Sequence, residues 1–521
     1  MTGDAFPAQS RRAMIAASAA LLVTGAGRAA GDPLVTCRAG RFQGRRQDSV
    51  ASFRGIRYGQ ARRFAAPVAA PLVRETVRAT EPGPACPQHG KRRPQAEDCL
   101  FLNLWTPAPD ARVRLPVFVW IHGGGYAYGS ANDPITDGRE LAAAGDVVVV
   151  TVNHRLNALG YLYLARFDPR FADSGNCGQL DLILALKWVR ENIAAFGGDP
   201  TRILVFGQSG GGAKIATMMG MPAATGLFQR AATMSGQQVT ASGPLNATMR
   251  TRAYLAKLGV AETDLDALLA RPVQVLIEAL DAVDPIMGGG VYFGPVLDMK
   301  WLTRHPFWPD ANPQSRGVPM MLGNVHDETR AFISPESPKV QGLTWDNLAE
   351  RMAPELRIDI LPEWVVSQYR QHFPSWSPAD VFYAATTAGR SWRGQVIEAE
   401  ARARAGAPGF VYQVDFSSRT DPRRGAFHTM DIPLVFGTLD ASGSQTGTGA
   451  DARAASAAMQ DSFVAFARTG DPNHAGLPHW PHYDLTTRST MVFDLRSRVD
   501  DDPRRWQREL FARVPYIQPG T

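Results

Sequence analysis

The chain has 521 residues, of which 45% are hydrophobic and 20% charged, with a formal net charge of +6. That length exceeds one small domain but suits a large α/β domain with insertions, and the apolar content suits a sizeable core. The charge excess is small and no basic run alternates with aromatic residues, which argues against nucleic-acid binding.

Taken in order, the chain opens with Ser10-Arg11-Arg12-Ala13-Met14, an apolar stretch from Ile15 to Val23, and Gly27-Arg28-Ala29-Ala30. A charged start, a short apolar run and a small-residue cleavage site read as an export signal over residues 1–30, and the paired arginines resemble the twin-arginine type. The expectation is a periplasmic or secreted protein whose residues 31–521 form a single domain. No later run is long and apolar enough for a membrane span, so stable membrane insertion is not expected.

Alternation over Leu34–Gly44 and Asp48–Tyr58 predicts an antiparallel hairpin. Cys86 and Cys99 bracket a Pro- and Arg-rich loop with little to hold it by packing, and a disulfide there would restrict it in an oxidising compartment. Cys37 and Cys177 read as buried thiols. Leu115–Ile121 is a continuous apolar run, as a strand covered on both faces requires. It ends in His122-Gly123-Gly124-Gly125-Tyr126, whose glycines leave backbone N–H groups accessible to a developing oxyanion. Val147–Asn153 is a further buried strand, and Leu182, Leu186, Val189 and Ile193 fall at helical spacing within a helix predicted over Leu180–Phe196.

Ile203–Phe206 is an apolar strand leading into Gly207-Gln208-Ser209-Gly210-Gly211, which fits Gly-x-Ser-x-Gly, the sharp strand-to-helix turn that exposes a nucleophilic serine. The strand pattern lapses from Ala241 to about Val318, which reads as an insertion over the top of the sheet. Pro319–Gly323 restores a strand, ending in Asn324-Val325-His326-Asp327-Glu328. A second helical insertion runs to about Arg404, followed by a strand at Gly409–Val414 and the segment Gly425–Pro433 containing His428. A helix over Ala454–Arg468 and a Pro-rich tail close the chain.

Alternating strands and helices predict an α/β fold with a mostly parallel central sheet, helices on both faces and helical insertions over the site. Sites in such sheets form outside the carboxyl ends of the strands, where the triple glycine, Ser209, Glu328 and His428 all fall. A serine hydroxyl needs a base, and the base needs an acid that fixes its tautomer. The chain order Ser209, Glu328, His428 is the one expected of an α/β-hydrolase. His122 is expected to brace its loop rather than act as the base.

Several stretches together resemble the type-B carboxylesterases, the family of cholinesterases and bacterial p-nitrobenzyl esterases. They are Phe53–Tyr58, Glu97-Asp98-Cys99-Leu100, Ala185–Val189 through Pro200 into the turn at Ser209, Asp327-Glu328, His428–Pro433, Gly470–Asn473 and Trp480-Pro481. The resemblance covers nearly all of the mature chain. It implies Ser209 as nucleophile, Glu328 as acid, His428 as base, an oxyanion hole from the N–H groups of Gly124, Gly125 and Gly210, and a Cys86–Cys99 disulfide. Two departures stand out: the family more often carries Glu before the nucleophile and Ala after it, where this chain has Gln208 and Gly210.

The expected activity is therefore hydrolysis of small-molecule carboxylic esters through an acyl-enzyme, with no metal or cofactor and no nucleic-acid partner. The rivals are an amide- or lipid-ester hydrolase on the same triad, and a non-catalytic recognition protein of the kind this family also includes. The cleft lining that separates the first two is expected to come from the helical insertions.

Overall fold

The computed structural model describes residues 31–90, 94–518 and 520. The export signal read over residues 1–30 lies outside the described residues. Its scaffold is an 11-stranded sheet. In chain order the strands are β1 (Arg45–Gln47), β2 (Val50–Arg57), β3 (Phe101–Thr106), β4 (Leu115–Ile121), β5 (Val148–Val152), β6 (Gly198–Gln208), β7 (Arg230–Met234), β8 (Met320–Val325), β9 (Gly409–Val414), β10 (Ser489–Phe493) and β11 (Arg498–Asp501). Across the sheet they run β11-β10-β9-β8-β7-β6-β4-β5-β3-β2-β1. The seven strands from β10 to β5 are mutually parallel, and the ends turn antiparallel at β11, β3, β2 and β1.

The apolar run of β4 explains its central place. Val117, Val119 and Ile121 enter the core on one face, while Phe118 and Trp120 enter the core on the other. A strand covered on both sides cannot alternate apolar with polar. β6 does the same with Ile203 and Val205 against Leu204 and Phe206. Helix α1 (Cys177–Asn192) packs in the first core. The helix Ala450–Thr469 packs in the second through Met459, Phe463 and Phe466. Residues Asp32–Thr521 form one compact unit.

Three local expectations change. The single predicted hairpin is two tight ones: Leu34–Cys37 pairs with Gly40–Gln43, and β1 with β2. The second reverses at Asp48, whose φ of 52° is a turn conformation that Asp tolerates better than most residues. The Pro-rich tail is not a tail: it supplies β10, β11 and the helix Arg505–Phe511, whose Leu510 and Phe511 complete a separate core with the second insertion. β7 escaped the sequence reading because Arg230-Ala231-Ala232-Thr233-Met234 shows no apolar run, and its small side chains are buried by neighbours on both sides.

The first insertion carries the helices Pro244–Leu258, Leu265–Ala270 and Val273–Glu278. The second carries Leu348–Leu356, Pro362–His372, Pro378–Thr387 and Arg393–Arg404, with a wide π-helical turn at Ala388–Trp392. β5 and β6 leave the central strand β4 on opposite sides, so a crevice opens at the carboxyl ends of β4 and β6.

Candidate active site

Ser209 stands at the end of β6 and caps helix α2 (Gly210–Met218) with φ 56° and ψ −124°. A non-glycine residue held there costs on the order of 1–3 kcal/mol, so the surroundings must enforce it. Its N–H donates to the carbonyl of Met234 at 2.7 Å. Gly207 and Gly211 show why the turn needs glycine. A Cβ on Gly207 would lie 2.7 Å from the Ile121 carbonyl oxygen, and one on Gly211 only 1.9 Å from it.

The triple-glycine loop follows β4. The Gly124 oxygen accepts from the N–H groups of Ala127 at 3.2 Å and Tyr128 at 3.1 Å, and His122 Nδ1 lies 2.9 Å from the Gly123 oxygen. A trans peptide points its N–H opposite its carbonyl. With these oxygens engaged on one side, the N–H groups of Gly124 and Gly125 are turned to the other, and neither has a backbone acceptor among the described residues. His122 also stacks on His154 at 4.6 Å, so it braces the loop as its position suggests.

Gly210 matters in a different way. A Cβ there would lie 2.2 Å from the Gly125 oxygen and 2.5 Å from the Gly125 nitrogen. Without it the loop rests directly on the first turn of α2. From that position the Gly125 oxygen accepts a hydrogen bond from Lys214 Nζ at 2.6 Å, and the His122 oxygen accepts a second at 3.3 Å. Lys214 is fully buried, its ammonium lies 5.3 Å from the centre of the Tyr126 ring, and burial pushes its pKa down to about 7. Among the described residues no carboxylate is within ion-pair distance of it. The sequence reading missed this residue, although the signal was present: Lys214 is the one charge between Gly207 and Met221.

β8 delivers the acid. Glu328 is fully buried, and its Oε1 accepts from Asn324 Nδ2 at 2.8 Å and the Val325 N–H at 3.1 Å. Its Oε2 accepts a hydrogen bond from His428 Nδ1. His428 is brought there by a parallel bridge between Asp327 and Phe427. Its ring packs against Phe332 at 4.8 Å, and its Nε2 is buried with no hydrogen-bond partner among the described residues. No hydrogen bond joins Ser209 to His428, a link that commonly tightens only around substrate.

Asp327, next to Glu328, points elsewhere. Its Oδ2 accepts from the Ala426 N–H at 3.1 Å, and Arg330 Nε approaches its Oδ1 at 3.4 Å. Burial opposes its ionised form, but His326, Arg330 and the Ala426 N–H hold its pKa below the usual value. Asp431, three residues after His428, is pushed up to about 8 by burial and by the charge of Glu328.

Cys86 and Cys99 are both buried free thiols near one another, with the Leu156 N–H directed to Cys86 Sγ at 3.2 Å. The fold thus makes the two cysteines neighbours, and the bond between them is a matter of redox compartment. Cys177 is buried and Cys37 partly so.

Residues 31–511 match the family model described as the carboxylesterase family. This chain belongs to the carboxylesterase family. It is a carboxylic ester hydrolase with the α/β-hydrolase fold. It is 34% identical to the para-nitrobenzyl esterase of Bacillus subtilis over 504 residues, covering 91% of this chain and 98% of that one. It is 32% identical to the phenmedipham hydrolase of Pseudarthrobacter oxydans over 534 residues, covering 94% and 99%. Its fold matches a carboxylesterase of Geobacillus stearothermophilus with a TM-score of 0.81 at 35% identity, over 92% of this chain and 99% of that one. Among the described residues no helix of this carboxylesterase is long and apolar enough to cross a membrane.

Proposed function

We propose that this esterase works through Ser209, His428 and Glu328. The observation that carries the reading is the Glu328–His428 pair, which leaves Nε2 unpartnered at the strand ends where the strained Ser209 turn also lies. Ser209 Oγ attacks the ester carbonyl while His428 Nε2 takes its proton, and Glu328 stabilises the imidazolium through Nδ1–H. The carbonyl oxygen gathers negative charge, and the N–H groups of Gly124, Gly125 and Gly210 receive it. His428 then protonates the departing alcohol. Water, deprotonated by the same nitrogen, releases the acid from Ser209. The cycle uses no metal or cofactor.

The substrates are small-molecule esters, and the chain acts as a single domain over residues 31–521. The apolar stretch after Arg11-Arg12 supports export to the periplasm or beyond, where oxidation would convert the adjacent Cys86 and Cys99 into a disulfide. A panel of p-nitrophenyl esters from acetate to palmitate, with organophosphonate labelling and peptide mapping, tests the reading. Saturable hydrolysis with the label on Ser209 is expected. A label on another serine would refute the assignment. Non-reducing peptide mapping of exported protein should find Cys86 linked to Cys99, and a Cys37–Cys177 link would contradict it.

A further inference from the structure

Beside the triad, two guanidinium groups stand without a counter-ion. Arg390 lies in the π-helical turn Ala388–Trp392, a distortion that often marks functional sites. Its guanidinium carbon is 4.1 Å from the centre of the Phe332 ring, the ring that packs on His428 at 4.8 Å. Phe332 is 45% exposed although it touches the buried His428, so it lines the open side of the site. Arg390 therefore meets the same space.

Arg357 backs it. This residue ends the helix Leu348–Leu356 in the left-handed conformation, with φ 57°. The π-turn rests on that helix end so closely that a Cβ on Gly389 would lie 2.7 Å from the Leu356 oxygen. Arg390 follows Gly389 and Arg357 follows Leu356, so the packing sets two like charges near one another. Among the described residues neither guanidinium has a hydrogen-bond or ion-pair partner. The carboxylates whose charge reaches Arg390 are already engaged: Glu355 is paired with Lys339, and Glu328 with His428. Burial and then Arg357 pull Arg390 down to about 10, against Glu355, Glu328 and Tyr128. Tyr128 belongs to the turn that closes the triple-glycine loop, its N–H donating to the Gly124 oxygen.

A partly buried cation with no partner is costly, and a second cation beside it adds to the cost. An arginine stacked on an aromatic face still has its in-plane N–H groups free to grip a carboxylate with two bonds. We propose that Arg390, backed by Arg357, is an anion subsite of the active centre, and that this enzyme favours esters carrying a carboxylate close to the scissile bond. The inference rests on the reading of Ser209 and His428 as the reacting groups.

Two substrate pairs test it and separate the acyl side from the alcohol side. One is mono-p-nitrophenyl glutarate against p-nitrophenyl valerate. The other is the butyryl ester of 4-hydroxybenzoate against phenyl butyrate. The readout is the ratio of kcat/KM for the charged ester to that for its neutral partner. In one pair the ratio should exceed about ten and fall with added NaCl, since a charge-assisted contact is worth about 10- to 100-fold. R390Q should lower that ratio by about tenfold or more, mainly through KM, and R390K should keep part of it. Arg357 is exposed, so R357Q should fold as the wild type does and lower the ratio by about two- to fivefold. A ratio near or below one in both pairs, or one unmoved by R390Q and R357Q, would overturn the subsite. Failure to hydrolyse any of the four esters, with no phosphonate on Ser209, would overturn the underlying reading instead.

Discussion

The turn at Ser209 and the second helical insertion face the same crevice but are built on opposite terms. Around Ser209 backbone packs on backbone. Gly207, Gly210 and Gly211 each lie where a Cβ would come within 3 Å of another main-chain atom. Nothing there can vary in shape without moving a central strand. The insertion has its own core of Leu348, Met352, Tyr369, Phe382 and their neighbours, closed by Phe511 from the C-terminal helix, and its approach to the site is a side chain, Arg390 over the Phe332 ring that packs on His428. The contrast teaches a division of labour. In the proposed mechanism the sheet holds the reacting groups, and the insertion, through Arg390, would select among the esters brought to them.

The sharpest break of that comparison is Ser209→Ala, which should lower kcat by about 10⁴-fold or more while melting stays near wild type. Retained turnover in a sample free of wild-type enzyme would move the nucleophile elsewhere.

Next in size is the acid. Glu328→Gln should cost on the order of 10³- to 10⁴-fold in kcat, because the amide favours the wrong imidazole tautomer. Asp327→Asn should cost less than about tenfold and lower Tm by a few degrees, since it leaves one acceptor oxygen to serve both the Ala426 N–H and Arg330, removes the charge facing Arg330, and does not touch the contact to His428. Kinetics and melting of both purified variants decide, and the reverse pattern would transfer the acid to Asp327.

Lys214→Met sharpens the comparison, because Lys214 is a charged side chain that reaches into the backbone-built region and holds two of its carbonyls. It removes both hydrogen bonds to the loop, and kcat should fall about 10- to 100-fold with a smaller change in KM. The charge of Lys214, lowered by burial from its usual 10.5 to about 7, is present below pH 7 and lost above it. Wild-type kcat/KM should therefore decline as pH rises through about 7, and Lys214→Met should lack that limb. Stability moves the opposite way: between about 7 and 10.5 the unfolded chain holds the proton that the native state has released, so wild type gains stability with rising pH relative to Lys214→Met. Parallel pH profiles in the two proteins would rule out this role.

The smallest effect is expected from Gly210→Ala, which restores the more usual residue of the family. The added Cβ must push Gly125 away from α2 and stretch its bond to Lys214, at a cost of about two- to tenfold in kcat. In the Lys214→Met background the same change should cost less, because the bond it stretches is already gone. A double-mutant cycle measures this, and full additivity would show that the two residues act independently.

Much of the site was legible along the chain. Covered strands announce themselves as apolar runs, and Gly-x-Ser-x-Gly after one of them points to the serine proposed as nucleophile and gives the reason for its glycines. The order of Ser209, Glu328 and His428 along three strand ends, with the stretches that resemble the family, named the fold and the activity. Local pattern carries that information because strand burial and tight turns are decided within a few residues.

Only the tertiary structure decided how distant groups meet. That Glu328 rather than Asp327 hydrogen-bonds His428 depends on a bridge between segments a hundred residues apart. That β7 is a central strand depends on neighbours burying its alanines, not on its own composition. The loop carbonyls that Lys214 grips, and the packing of Gly389 on Leu356 that draws Arg390 toward Arg357, leave no periodicity to read. The physical reason is common to all of them: a polar side chain's role is set by which partner packing brings within about 3 Å, and a sequence records the residue but not the approach.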